Sequence, residues 1–178
     1  MRIAILTISD AGARGERTVD GSGDAIAAWV EQRKDTGVAG SVSAGSDTIV
    51  GRALVSDDVA AIAAQLISWC DGDVAELILT TGGTGLAPRD LTPEATRAVL
   101  EREAPGIAER IRVLSVASFP RAALSRGLAG VRGRTLIINL PGSTSGVRDG
   151  LAAIDPIIEH AVRITRGADT HHESEPAK

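Results

Sequence analysis

Three short runs in this chain are dominated by apolar residues with no polar alternation: Ile3 to Ile8, Ala75 to Thr80 and Thr135 to Leu140. A half-buried strand alternates polar and apolar side chains, so runs like these predict strands buried on both faces, as in a parallel sheet covered by helices. Each run closes on polar or Gly-rich residues: Ser9-Asp10-Ala11-Gly12, Thr81-Gly82-Gly83-Thr84-Gly85 and Pro141-Gly142-Ser143. Thr48 to Val55 reads as a further strand, and Leu128 to Val131 as a short one leading into the last.

Segments of helical period lie between these strands. Ile26, Trp29 and Val30 form one stripe of a helix expected from about Asp24 to Arg33. Val59, Ile62, Ala63, Leu66 and Ile67 recur at spacings of three and four, with Ser56 as the expected N-cap and Asp57 and Asp58 near the positive helix end. Thr92-Pro93-Glu94 opens another helix, with Thr92 as N-cap and Pro93 at the first helical position, and Pro105-Gly106 is expected to end it. Ile107, Ile111 and Leu114 mark the next helix, and residues 119–127 look irregular. Val147, Leu151 and Ile154 begin a closing helix that Pro156 should kink or restart.

Alternating helices and buried strands predict an α/β fold, a three-layer α/β/α arrangement around a mostly parallel central sheet. Residues 1–167 form one domain. Residues 36–46 read as a Gly-rich surface loop and 168–178 as a polar, frayed tail. Parallel sheets bind ligands at the carboxyl ends of their strands. Asp10, Asp57, Thr81 to Asp90 and Asn139 to Gly142 all fall just after strands, four different ones, so polar residues gather at one edge.

Composition narrows the possible partners. The chain has 178 residues, with 19 basic and 23 acidic side chains giving a net charge of −4, so no global basic field draws nucleic acid. Aromatics are 2% of residues, too few for base-stacking platforms. Cys70 is alone, which rules out an intrachain disulfide, and no Cys/His group has zinc spacing. The first apolar run is too short for a signal-peptide core or a membrane span, so a cytoplasmic protein is expected.

The segment Thr80 to Gly85 packs three glycines and three hydroxyls into six residues. Glycines allow positive φ and close approach of a ligand, and successive N–H groups in such a bend form an anion nest. No Gly-Lys-Ser/Thr follows, so this is not a Walker loop, and Pro88 stands where a dinucleotide fingerprint needs its last Gly. Asp90 lies five residues beyond Gly85. A carboxylate beside a phosphate cradle repels it unless a cation intervenes, so the pair implies Mg²⁺. Asp90 is also a plausible turn cap or partner of Arg89, and Asp57 a plausible helix-start acid. No Gly-x-Ser-x-Gly elbow or site histidine is present to support a nucleophile, which leaves phosphoryl or nucleotidyl transfer by positioning plus metal.

These motifs resemble the MogA/MoaB-type molybdopterin-binding family, and within it the molybdopterin adenylyltransferases. The resemblance is carried by Leu79 to Asp90 with Thr92-Pro93-Glu94-Ala95-Thr96, by Glu103-Ala104-Pro105-Gly106, Leu124-Ser125-Arg126 and Ile137 to Ser143, and by Thr7 to Asp10 and Asp20 to Gly23. It implies a cytosolic, usually trimeric protein of molybdenum cofactor synthesis. The implied reaction joins AMP from Mg-ATP to the terminal phosphate of molybdopterin and releases pyrophosphate, with a molybdate-inserting protein as a possible partner. The resemblance also implies functional acids at Asp57 and Asp90, both holding Mg²⁺. It implies phosphate or pterin contacts at Thr81, Gly82, Gly83, Thr84, Gly85, Ser115, Ser125, Asn139, Pro141 and Gly142, with loop contacts at Asp10 and Ser22. Where the family often carries a basic residue after the last strand, this chain has Ser143-Thr144-Ser145. Two other readings are a non-catalytic, MoaB-like pterin-binding trimer and a CinA-like nucleotide hydrolase. The latter fits less well because of Thr84 and the order Pro88-Arg89-Asp90.

Overall fold

In the computed structural model, residues 1–16, 18–35 and 47–168 are described. The loop expected at 36–46 and the tail beyond Ala168 lie outside them. The strands β1 (Arg2–Ile8), β2 (Thr48–Val55), β3 (Leu77–Thr81), β4 (Arg102–Glu103), β5 (Ala129–Arg132) and β6 (Thr135–Leu140) form one sheet in the order β2-β1-β3-β6-β5-β4. The pairs joining β2, β1, β3 and β6 are parallel, and β5 and β4 add an antiparallel edge.

The period of two along a strand sorts the core into two halves. After the single turn α1 (Asp10–Ala13) that follows β1, the longer helices make two layers: Ile3, Ile5, Leu77, Leu79, Leu136 and Ile138 face one, formed by α2 (Gly21–Asp35), α5 (Pro105–Val116) and α6 (Thr144–Thr165). Ala4, Leu6, Ile8, Ile78 and Ile137 face the other, formed by α3 (Val59–Asp71) and α4 (Thr92–Val99). Nearly every one of these strand residues is fully buried, which gives the expected three layers.

Several local expectations shift. Asp58, not Ser56, caps α3, because its carboxylate accepts the Ala61 N–H at 2.9 Å. α2 begins at Gly21 rather than Asp24, since the Asp20 carboxylate accepts the Gly23 N–H at 2.9 Å. The N-cap position of α4 is Leu91, and the Thr92 hydroxyl instead donates to the Gly82 carbonyl at 2.8 Å. Pro105 does not end α4, which stops at Val99. It opens α5, where a missing N–H costs no bond, and β4 lies between. Within 119–127 a short 3₁₀ turn spans Pro120–Leu124. α6 runs unbroken across Pro156, with Ile154 and Ile158 buried on either side of it.

The chain leaves β1 outward to β2 and then crosses back to β3, so the order reverses between β1 and β3. Crevices outside a parallel sheet open at such a reversal.

Candidate functional site

Three strand ends meet at that reversal. Gly82, just past β3, has φ +100°, and a Cβ placed on it would lie 2.2 Å from the Ile8 carbonyl at the end of β1. A Cβ on Gly142, past β6, would lie 3.1 Å from Gly82 Cα. Only glycine permits both the left-handed backbone and this closeness. The Thr81 hydroxyl ties the ends together by donating to the Pro141 carbonyl at 2.7 Å.

The bend that follows is held from behind. Arg126 donates through Nε to the Gly85 carbonyl at 2.8 Å and through its backbone N–H to the Thr84 carbonyl at 2.9 Å. Its other guanidinium nitrogens reach the Asp90 carbonyl and the Glu94 carboxylate. The carbonyls of the bend are thus directed into protein. Asp90 Oδ2 accepts the Ala87 N–H at 2.7 Å, closing the local turn.

On one side of the bend lies a knot of charges. The Asp10 N–H donates to Asp57 Oδ2 at 2.8 Å, the Asp57 N–H donates to Asp10 Oδ1 at 3.1 Å, and Arg89 donates to Asp10 at 2.7 Å. Arg89 therefore pairs with Asp10 rather than with its neighbour Asp90. Asp57 Oδ1 would lie 2.9 Å from a Cβ on Gly83, so this carboxylate sits directly against the bend. Burial raises the pKa of Asp57, and the nearby carboxylates of Asp10 and Asp90 push it the same way, while the Asp10 N–H and Arg89 oppose the rise. For Asp10, burial works upward but is outweighed by the Asp57 N–H and Arg89, so its pKa is lowered.

The bend also borders a cleft of about 540 Å³, well within the range of small-molecule sites. Gly83, Thr84, Gly85 and Asp90 line it, as do Ser115, Ser125, Pro141 and Gly142, so most of the expected site residues converge here. The sequence pattern did not point to several others. Ser143 caps α6 by accepting the Gly146 N–H at 3.1 Å, and with Ser145 it presents the N-terminus of that 22-residue helix to the cleft. Free N–H groups and the helix dipole favour an anion there. Arg112 and Arg121 bring positive charge from α5 and the 3₁₀ turn, where the stretch after β6 offers none. Helical spacing marked α5 in the sequence, but nothing there signalled which of its side chains face the cleft.

Thr81, Gly82, Asp10 and Asp57 border the bend without lining the cleft, and two further expected residues lie apart from both. Asn139 is 3% exposed, and its amide donates to the Thr80 and Thr96 hydroxyls at 2.9 Å each and accepts the Leu128 N–H at 3.1 Å. It supports the floor and does not line the cleft. Ser22 donates to Asp20 at 3.2 Å, in a group where Asp20 also accepts from Thr7 and Arg52, beside the cleft rather than in it.

Asp57 and Asp90 offer hard oxygen donors, and no group of three or more His, Cys, Asp or Glu that could hold a metal occurs among the described residues. Asp90 lies near enough to Asp57 to push its pKa up; Mg²⁺ in general binds through one or two protein acids and completes its shell with water and substrate phosphate.

Residues 4–160 match a family described as a probable molybdopterin binding domain. The chain is 44% identical over 114 residues to molybdopterin adenylyltransferase of Helicobacter pylori, covering 64% of this chain and 65% of that protein. It is 42% identical over 142 residues to the molybdenum cofactor synthesis protein cinnamon of Drosophila melanogaster, covering 76% of this chain and 23% of that one. The chain thus spans just under two thirds of the bacterial relative and about a quarter of the fly protein. The crystal structure of the molybdopterin biosynthesis enzyme MoaB from Thermus thermophilus superposes with a TM-score of 0.80 at 48% identity, covering 93% of this chain and 96% of that one. The Mog protein of Mycobacterium ulcerans gives 0.76 at 36% identity, over 92% and 98% of the two chains. By its sequence match and by its architecture, the chain belongs to the molybdopterin-binding domain family.

Proposed function

We propose that this chain transfers AMP from Mg-ATP to the terminal phosphate of molybdopterin, in the synthesis of the molybdenum cofactor. A terminal phosphate oxygen forms a bond to the α-phosphorus of ATP. The bond from that phosphorus to the bridging oxygen breaks in line, and pyrophosphate leaves with the electron pair. The observation that carries this reading is the meeting of the β1, β3 and β6 ends around the Thr81–Gly85 bend, at the mouth of a substrate-sized cleft.

Phosphoryl transfer asks a protein chiefly for positioning and charge stabilisation. The N–H groups of Gly83 to Gly85 and of the α6 N-terminus hold phosphate oxygens, and Arg126 keeps the bend rigid. Asp57 and Asp90 would hold Mg²⁺, which when bound neutralises charge on the reacting phosphates. Arg89 lies across Asp10, close enough to Asp57 to influence its protonation, and it balances the acids when no metal is present. Arg112 and Arg121 offset the anionic charge of two phosphorylated substrates.

The same reading carries a homotrimer in the cytoplasm that passes its product to a molybdate-inserting protein. No helix among the described residues is long and apolar enough to cross a membrane, and light scattering at micromolar concentration tests the trimer. Incubation with molybdopterin, ATP and Mg²⁺, followed by a pyrophosphate assay, tests the reaction. One pyrophosphate per molybdopterin consumed is expected. Tight molybdopterin binding with no pyrophosphate would favour the binding-only role.

A further inference from the structure

Away from the phosphate bend, the cleft meets a second hollow of about 240 Å³ between α5 and α6. Ser115, Ser118 and Asp149 line both spaces. Ser115 is 7% exposed, yet its Oγ has no hydrogen-bond partner. A serine hydroxyl in the last turn of a helix ordinarily turns back to the carbonyl four residues earlier, and this one does not. Its backbone carbonyl is already used, since the Ser118 hydroxyl donates to it at 3.2 Å. A buried, unpaired hydroxyl destabilises the fold unless a ligand completes it. Asp149, in the second turn of α6, lines the same two spaces as Ser115, and Ile111, Phe119 and Leu124 supply apolar surface in the cleft.

A carboxylate beside a hydroxyl donor is selective for a particular ring edge. The pyrimidine edge of a pterin presents its 2-amino group and N3–H as two parallel donors, followed by the C4 carbonyl as an acceptor. Carboxylates bind such paired donors in a bidentate manner, with bonds strengthened by charge. The adenine edge instead sets a ring-nitrogen lone pair beside its amino group, and that lone pair would face the carboxylate. Resting on the molybdopterin reading above, we infer that Asp149 is the residue that selects the pterin ring. Its carboxylate accepts from the 2-amino group and N3–H, and the Ser115 hydroxyl donates to the C4 carbonyl. The pterin then lies between α5 and α6 with its phosphate directed to the Thr81–Gly85 bend.

Pterin and lumazine provide the test, because they differ only in an amino or an oxo group at C2. Calorimetric titration of the full chain should show pterin binding at least about tenfold more tightly than lumazine. Asp149→Asn should abolish that preference and raise KM for molybdopterin by about 10- to 100-fold, with the Kd for Mg-ATP unchanged. Asp149→Glu should restore most of the preference, and thermal melts should show all variants folded, since Asp149 is exposed on α6. Equal binding of the two rings by the wild-type protein, binding of neither, or a preference that survives Asp149→Asn would overturn the assignment. If wild-type protein releases no pyrophosphate but loses its ring preference on Asp149→Asn, the transfer reaction fails and the pterin assignment stands.

Discussion

Asp10 and Asp57 hold each other reciprocally: each backbone N–H donates to the other's carboxylate, at 2.8 and 3.1 Å. The loop after β1 is thereby fastened to the loop after β2, and two like charges are kept close together. Arg89, paired with Asp10, offsets only part of this charge, and the pKa of Asp57 stays raised.

Asp57 should therefore cost stability when no metal is bound. Its pKa is raised from the ordinary 3.8 by burial and then by its acidic neighbours. The native state then binds the proton more tightly than the unfolded chain, so Asp57 makes stability fall as pH rises through its native pKa. Asp57→Asn keeps an oxygen to accept the Asp10 N–H and removes the charge. Urea midpoints should place the variant at or above the wild type at pH 7, with the gap closing toward pH 4. A variant less stable at pH 7 would show that the charge is structural.

Asp90→Asn should lower adenylyl transfer at least about 100-fold and leave the fold intact, because an amide still accepts the Ala87 N–H but is a poor ligand for a hard cation. Asp57→Ala should also lower turnover. Pyrophosphate release, checked beside circular dichroism, measures both. Full activity in either variant would remove that acid from the mechanism.

Gly82→Ala should destabilise the protein by about 2 kcal/mol or more, since it combines a left-handed φ with a Cβ driven into the Ile8 carbonyl. Urea denaturation reads this directly. A loss below about 0.5 kcal/mol would mean that the β1 and β3 ends can separate freely.

Asn139→Ala should cost about 2–4 kcal/mol by unpairing buried partners on β3, α4 and the approach to β5. The folded variant should bind Mg-ATP with little change. Weakened binding at full stability would make Asn139 a ligand contact instead of a support.

Much of this is legible in the sequence because it depends on local pattern. The unbroken apolar runs reveal the buried strands, and the glycines of Thr81 to Gly85 are enough by themselves to mark the bend. Residues that act across long sequence separations leave no such trace. Arg126 clamps Gly85 and Glu94 from 41 and 32 residues away, and Arg112 reaches the cleft from the middle of a helix. Asn139 misleads for a related reason: a polar residue at a strand end resembles a ligand contact, and only packing reveals neighbouring hydroxyls that satisfy it. Ser56 misleads because Asp58, two residues on, takes the cap, and Thr92 because its hydroxyl donates to the Gly82 carbonyl instead.

The decisive measurement is calorimetric titration of the folded protein with ATP, with and without Mg²⁺, repeated on Asp90→Asn. One ATP should bind per chain, at least about tenfold more weakly when the cation is omitted or the carboxylate neutralised. Affinity that ignores both the cation and Asp90, or no binding at all, would contradict a metal-assisted triphosphate site at the joined ends of β1, β3 and β6.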